Sequence, residues 1–327
     1  MSPLALWLAG LVLGLVLLAW SADRFVDAAA ALAGSLGVAP LVIGLVVVGF
    51  GTSAPEMLVS GLAAWDGRGE LGLGNAVGSN IANVALIVGV AALARPLVVR
   101  SVILRRELPV PLAAMILCMG LLLDDHLGRG DGAILLAAFA LALYVTVRVA
   151  VKERGRPADS IEAEYARRLP VGVPMRRALL RVFAALVVLV AASRLLVWSA
   201  AGIAGWWGLS DLVIGLTVMA IGTSLPELAA SVAAARKGQP DIAIGNVLGS
   251  NTFNTLVAVG IVGVIGPGPF DPHVLTRDFP VMIGLMLALF LMAYGFGREG
   301  RITRAEGAVL LLAFCAYLAL LVRAAVV

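Results

Sequence analysis

Long apolar runs follow one another along this chain with almost nothing polar between them. They lie near 4–22, 40–64, 73–94, 107–123, 131–150, 178–200, 210–235, 243–266, 279–296 and 305–323. A helix of about 20 apolar residues crosses the hydrocarbon core of a bilayer. Lipid offers the backbone no hydrogen-bond partner, so such runs must satisfy their own amides. Each is therefore read as a spanning helix, and the fold expected is an all-α membrane protein with ten transmembrane helices. Composition agrees: 61% of the 327 residues are hydrophobic and 13% are charged, against about 25% charged in a soluble domain. The 37 glycines fit helices that pack closely on small residues.

The formal net charge is +4, but the basic residues sit where topology puts them, and no nucleic-acid partner is expected. If loops after odd-numbered spans face the cytoplasm, they and their flanks hold 19 of the 24 Lys and Arg residues. The other side holds Arg68, Arg129, Arg194, Arg277 and Arg323. The positive-inside bias then places both termini outside and the polar stretch 151–177 in the cytoplasm. Residues 4–20 lack a basic leader and read as a permanent first span. Cys118 and Cys315 lie inside apolar runs, so no structural disulfide is expected.

An internal repeat organises the chain. Residues 41–61, LVIGLVVVGFGTSAPEMLVSG, are matched by 212–231, LVIGLTVMAIGTSLPELAAS. Residues 74–89, GNAVGSNIANVALIVG, are matched by 245–260, GNVLGSNTFNTLVAVG. Both blocks keep one offset of 171 residues. An odd number of spans separates each copy from its mate, so the repeat is inverted across the membrane, the symmetry many secondary transporters use. The expected division is a first five-helix half at 1–150, a cytoplasmic connector at 151–177 and a second five-helix half at 178–327.

Of the 20 acidic residues, all but Glu56 and Glu227 fall in loops or near span ends. These two occupy equivalent repeat positions inside the second and seventh spans, where a carboxylate is costly and marks function. No Lys or Arg shares those two segments at comparable depth, so a bound cation or a proton is expected to balance them. Pro55 and Pro226, with Gly51 and Gly222, are expected to break the helices just before the glutamates and to free backbone carbonyls. Thr52, Ser53, Thr223 and Ser224 add hydroxyls beside them. Ser79 and Asn83 share a helix face, as do Ser250 and Asn254. Asn75, Asn80, Asn246 and Asn251 are assigned mainly to tying discontinuous helices together, and Gly74, Gly78, Gly245 and Gly249 to close helix packing. This all-oxygen set suits hard ions such as calcium and sodium. Zinc or copper would recruit His or Cys, and His126 and His273 lie near loops.

These residues resemble the cation/calcium exchanger superfamily, in particular its compact prokaryotic sodium/calcium antiporters. The resemblance spans the chain and rests on Gly-Thr-Ser-x-Pro-Glu followed by Gly-Asn-x-x-Gly-Ser-Asn, present twice. It implies two inverted five-helix halves around a calcium site ringed by sodium sites. Glu56 and Glu227 would serve both ions. Thr52, Ser53, Ser79, Thr223, Ser224 and Ser250 would supply sodium ligands, with carbonyls near Gly49 and Ala220. Asn83 and Asn254 would complete the centre. Several relatives carry aspartate at the position of Asn254, so this chain has two membrane carboxylates there and not three.

The resemblance also implies electrogenic exchange of three sodium ions for one calcium ion, with the first and sixth spans sliding over the centre. The alternative is a proton/cation exchanger in which protonation of Glu56 or Glu227 replaces sodium. A passive channel fits the paired broken helices poorly, and no nucleophile–base pair suggests an enzyme. No cofactor and no obligatory protein partner are expected. The partners are the lipid bilayer and the transported cations, in a prokaryotic inner membrane.

Overall fold

The computed structural model describes residues 3–99, 107–152, 173–207, 220–294 and 300–326. The described chain is helical apart from four very short strands. The first half runs α1 (Pro3–Leu36), α2 (Pro40–Ile43), a π-helical turn at Gly44–Val48, α3 (Gly49–Trp65), α4 (Gly69–Ala82), a π-helical turn at Asn83–Val88, α5 (Gly89–Ala94), β1 (Leu97–Val99), α6 (Pro109–Leu121), β2 (His126–Leu127) and α7 (Arg129–Lys152). The second half runs α8 (Met175–Trp206), α9 (Ala220–Thr223), α10 (Leu225–Arg236), α11 (Pro240–Thr252), a π-helical turn at Phe253–Ala258, α12 (Val259–Ile265) and β3 (Gly268–Pro269). A π-helical turn at Val274–Asp278 then leads into α13 (Phe279–Tyr294), β4 (Gly300–Ile302) and α14 (Arg304–Val326).

Eight of the described helical stretches are long and apolar enough to cross a membrane. Pro109–Leu121 is shorter, and the front of the segment expected at 210–235 lies outside the described residues. The stretches Gly69–Ala94 and Pro240–Ile265 are the innermost: 78% of their most apolar windows are buried, against 22% for α1 and 11% for Arg129–Val149. These two carry the second motif of each repeat.

The first span differs from expectation. Its helix does not stop near residue 22 but continues through Asp23, Arg24 and Asp27 to Leu36. Ala28–Ala31 and Ala33 are buried while the three charged residues point outward, and α1 packs along α8 and α10. Alanine is the best helix former, and a buried alanine face holds the helix on past its apolar run. Close approach to α8 relies on Gly14, where a Cβ would lie 2.8 Å from Leu196.

The turns leaving α3 and α10 are repeat equivalents. Gly67 at φ 75° and Gly238 at φ 71° take the left-handed conformation that glycine adopts without strain. Arg68 N–H donates back to Ala63 O at 2.8 Å and Gln239 N–H to Ala234 O at 2.8 Å, closing both helices with the same Schellman geometry. Two antiparallel ladders join the halves. β1 pairs with β4, and β2 with β3.

Gly245 and Gly249 pack closely, as expected, since a Cβ on Gly245 would lie 2.7 Å from Leu41 O and one on Gly249 would strike Leu45 O. Gly74 and Gly78 meet no described atom within 4 Å. Segment 212–219, whose repeat mates cover Gly245 and Gly249, lies outside the described residues.

Candidate ion-binding site

The two glutamates enter the site from differently built helices. In the first half the expected break at Gly51 and Pro55 is not found: α3 runs through both. Proline withholds one N–H, from the Gly51 carbonyl, and the neighbouring rungs carry the helix on. The irregular turn lies upstream, in the π-helical Gly44–Val48. In the second half Ser224, at φ −90° and ψ 7°, does interrupt the helix between α9 and α10. Pro226 falls in the first turn of α10, where its missing N–H costs nothing. Gly222 belongs to α9, and Ala220 opens it. Glu227 thus sits at a helix N-terminus, whose dipole favours negative charge, whereas Glu56 sits inside a helix.

Both glutamates are 1% exposed. Ser53 Oγ donates to Glu227 Oε1 at 3.1 Å, tying α3 to α10. Gly49 starts α3 against α11, where its Cβ would lie 3.1 Å from Gly249 Cα. Thr52 Oγ1 lies 3.0 Å from Val48 O and 3.0 Å from Asn246 Oδ1. The carboxyl groups are within each other's electrostatic reach.

The asparagines divide into two sets. Asn75 Nδ2 donates to Glu56 O at 3.3 Å and to Ser60 Oγ at 3.0 Å. Asn246 Nδ2 makes the equivalent bonds to Glu227 O at 3.3 Å and Ser231 Oγ at 2.8 Å. Asn80 Nδ2 donates to Thr255 Oγ1 at 2.8 Å, and Asn83 Nδ2 to Asn251 Oδ1 at 2.9 Å. The asparagines thereby tether each glutamate-bearing helix at its backbone carbonyl, while Ser53 alone of these ties reaches a carboxylate, that of Glu227.

Among the described residues, several buried oxygens have no hydrogen-bond partner: both carboxylate oxygens of Glu56, Glu227 Oε2, Asn83 Oδ1, Asn254 Oδ1, Ser224 Oγ and Ser250 Oγ, as do the amide nitrogens of Asn251 and Asn254. Buried polar atoms are normally satisfied, and oxygens of these types are the ligands hard cations take. Ser79 is buried beside them, and Thr223 is half-buried. The π-helical turn at Asn83–Val88 begins on one candidate asparagine, and the turn at Phe253–Ala258 contains the other. Such turns recur at functional sites because they leave the regular hydrogen-bond ladder. Residue spacing alone gives no sign of them.

One charge was misplaced by sequence reasoning. Arg194, expected near the outer end of the sixth span, lies well inside α8, which continues to Trp206. With Ser193, Val190 and Val197 it faces Pro55, Gly222, Thr223 and Pro226 across a crevice of about 30 Å³. The repeat offset pairs it with Asp23, the one signal that a charge belongs at that depth.

The sodium/calcium exchanger protein family matches residues 6–148 and again 177–323. The chain is 44% identical over 306 residues to the putative antiporter CaxA of Alkalimonas amylolytica, covering 94% of this chain and 95% of that one. It is 40% identical to the inner membrane protein YrbG of Escherichia coli, with 95% of each covered. It is 33% identical to the sodium/calcium exchanger MaX1 of Methanosarcina acetivorans, covering 95% of this chain and 97% of that one. The solved structure of the sodium-calcium exchanger NCX_Mj soaked with sodium and strontium superposes with a TM-score of 0.82 at 29% identity, covering 97% of this chain and 99% of that one. This chain, a multi-pass membrane protein, belongs to the sodium/calcium exchanger family.

Proposed function

We propose that this chain is an electrogenic sodium/calcium antiporter of a prokaryotic inner membrane. Ten transmembrane helices form two inverted five-helix halves, 1–150 and 178–327, joined by a cytoplasmic connector at 151–177, with both termini outside. The single observation that carries the reading is the set of buried oxygens on Glu56, Glu227, Asn83, Asn254, Ser224 and Ser250 that have no hydrogen-bond partner among the described residues. Inversion is supported by the two ladders. Adding the repeat offset to β1 gives the start of β3, so β1·β4 and β2·β3 are mates under a two-fold axis in the membrane plane. The inner-membrane assignment follows that of YrbG.

Glu56 and Glu227 form the shared centre, with Asn83 and Asn254 completing it. Thr52, Ser53, Ser79, Thr223, Ser224 and Ser250, with the carbonyls of Gly49 and Ala220, supply the sodium ligands. Two ionised carboxylates neutralise one calcium ion, while three sodium ions leave one net positive charge. Sodium and calcium compete for the same oxygens, so each displaces the other before the protein reorients. A 3:1 exchange moves one charge per cycle, worth about 2.3 kcal/mol per 100 mV, and an inside-negative membrane drives sodium in and calcium out.

The test is calcium flux in proteoliposomes with sodium, potassium and proton gradients imposed one at a time. Uptake should follow the sodium gradient, survive collapse of the pH gradient and respond to membrane voltage. Flux that follows protons and ignores sodium would instead identify a proton/cation exchanger.

A further inference from the structure

Arg194 takes no part in the oxygen cluster, yet its position is the least expected of any charge in the chain. It is followed by twelve more helical residues before α8 ends at Trp206, about 18 Å at 1.5 Å per residue. Its side chain is exposed, and an arginine carried on a spanning helix is kept where it meets a cavity, a partner or the membrane surface. Among the described residues it makes no hydrogen bond or ion pair. It lines the crevice whose far walls are Pro55 and Pro226, the residues that immediately precede Glu56 and Glu227. The twin position in the first half carries the opposite sign, as Asp23 of α1, and both side chains are exposed.

We propose that Arg194 is a fixed positive charge at the outer mouth of the exchange site, opposing cations that arrive from that side and opposing divalent ions more than monovalent ones. The inference rests on the antiporter reading and on the orientation given above. Coulomb energy scales with the charge of the approaching ion. Whatever factor the guanidinium imposes on sodium, it therefore imposes the square of that factor on calcium. A protein that exports calcium gains by this, because a weaker affinity for the divalent ion on the outer face limits its rebinding from that side. The inner mouth, with Asp23 at the twin position, carries no such barrier.

The experiment measures apparent affinities for calcium and sodium on each face of oriented proteoliposomes, for the wild type, Arg194→Gln and Arg194→Lys. Arg194→Gln should lower the outer half-saturation concentration about threefold for sodium and about tenfold for calcium, leaving the inner face unchanged. Arg194→Lys should behave as wild type, since it keeps the charge. In the unmutated protein, raising ionic strength with a choline salt should strengthen outer calcium binding, because salt screens the arginine. This arm needs no variant to fold. Equal factors for the two ions, equal effects on both faces, a lysine variant resembling glutamine, or no salt effect would each overturn the proposal. Radiolabelled calcium binding at equilibrium reads the same ratios without transport. A wild type that binds calcium but shows no sodium-driven flux would refute the antiporter reading while the Arg194 comparison still stood.

Discussion

Removing one carboxylate from the site should separate calcium from sodium. In Glu56→Gln an amide replaces a group whose two oxygens are both buried and unpartnered, so no protein hydrogen bond is lost. What changes is the ion's environment. A divalent ion at about 2.4 Å from a carboxylate, with an effective dielectric near 20, loses on the order of 10 kcal/mol of attraction. Relief of the carboxylate's own desolvation returns several kcal/mol of that. The net loss is about 4–6 kcal/mol, or at least about a thousandfold in calcium affinity. For a sodium ion the attraction is halved while the desolvation relief is the same, so the two nearly cancel and affinity falls only severalfold. Glu227→Gln should behave alike, because its amide oxygen still accepts the Ser53 hydroxyl now 3.1 Å from Oε1. The assay is equilibrium binding of radiolabelled calcium, with sodium binding followed by its competition, on protein whose size-exclusion profile matches wild type. Calcium affinity within tenfold of wild type in either variant would refute the shared-carboxylate reading, as would an equal loss for both ions.

The other perturbations address the ties around that centre. Asn246→Ala removes bonds to Ser231 and Glu227 O and a partner of Thr52; at roughly 0.6–1.5 kcal/mol each, it should lower thermal stability in detergent more than Asn75→Ala, whose amide makes two bonds among the described residues. Equal melting shifts would count against this bookkeeping. Asn254→Asp adds a third titratable group among the free oxygens, so the exchange rate should gain a pH-dependent limb absent from wild type; superimposable profiles would remove residue 254 from the centre. Among the described residues, Ser53→Ala breaks a hydrogen bond to the Glu227 carboxylate, whereas Ser224→Ala breaks none. If the two halves exchange conformations, the two variants should shift labelling of a cysteine introduced at Val190 on the crevice wall in opposite directions, and identical shifts would argue that the serines are equivalent.

The repeated motifs show in the sequence because their polar members are incompatible with lipid, and whatever lipid forbids stands out against an apolar background. The same contrast separated Glu56 and Glu227 from the other acidic residues and picked out the asparagine ties. Helix ends were less legible. The apolar run of α1 ends near residue 22, but its helix ends where buried Ala33 and the left-handed Gly37 allow it to, and burial by α8 and α10 is not written locally. Pro55 misled because a proline only removes one rung, and whether a helix survives depends on what surrounds it. Arg194 misled for the related reason that its flanks suggest a span end, while α8 outlasts its own hydropathy.

The two halves are twins in sequence but not in conformation. Ser53 donates to Glu227, while among the described residues the hydroxyl of its twin Ser224 and the carboxylate of Glu56 have no partner. Helix α3 passes smoothly through its proline, while α9 and α10 are separated at the matching place. The crevice lies beside α8. If the copies are inverted across the membrane as proposed, the opposite-facing state would follow when they exchange conformations. That exchange would release Glu227 from Ser53, bond Ser224 to Glu56 and open a crevice beside α1, with Asp23 in place of Arg194. In the proposed cycle the carboxylates stay at the centre throughout. What alternates is which of them is held by a serine and which sign of charge guards the open mouth, and the second of these is the only part the repeat does not make symmetric.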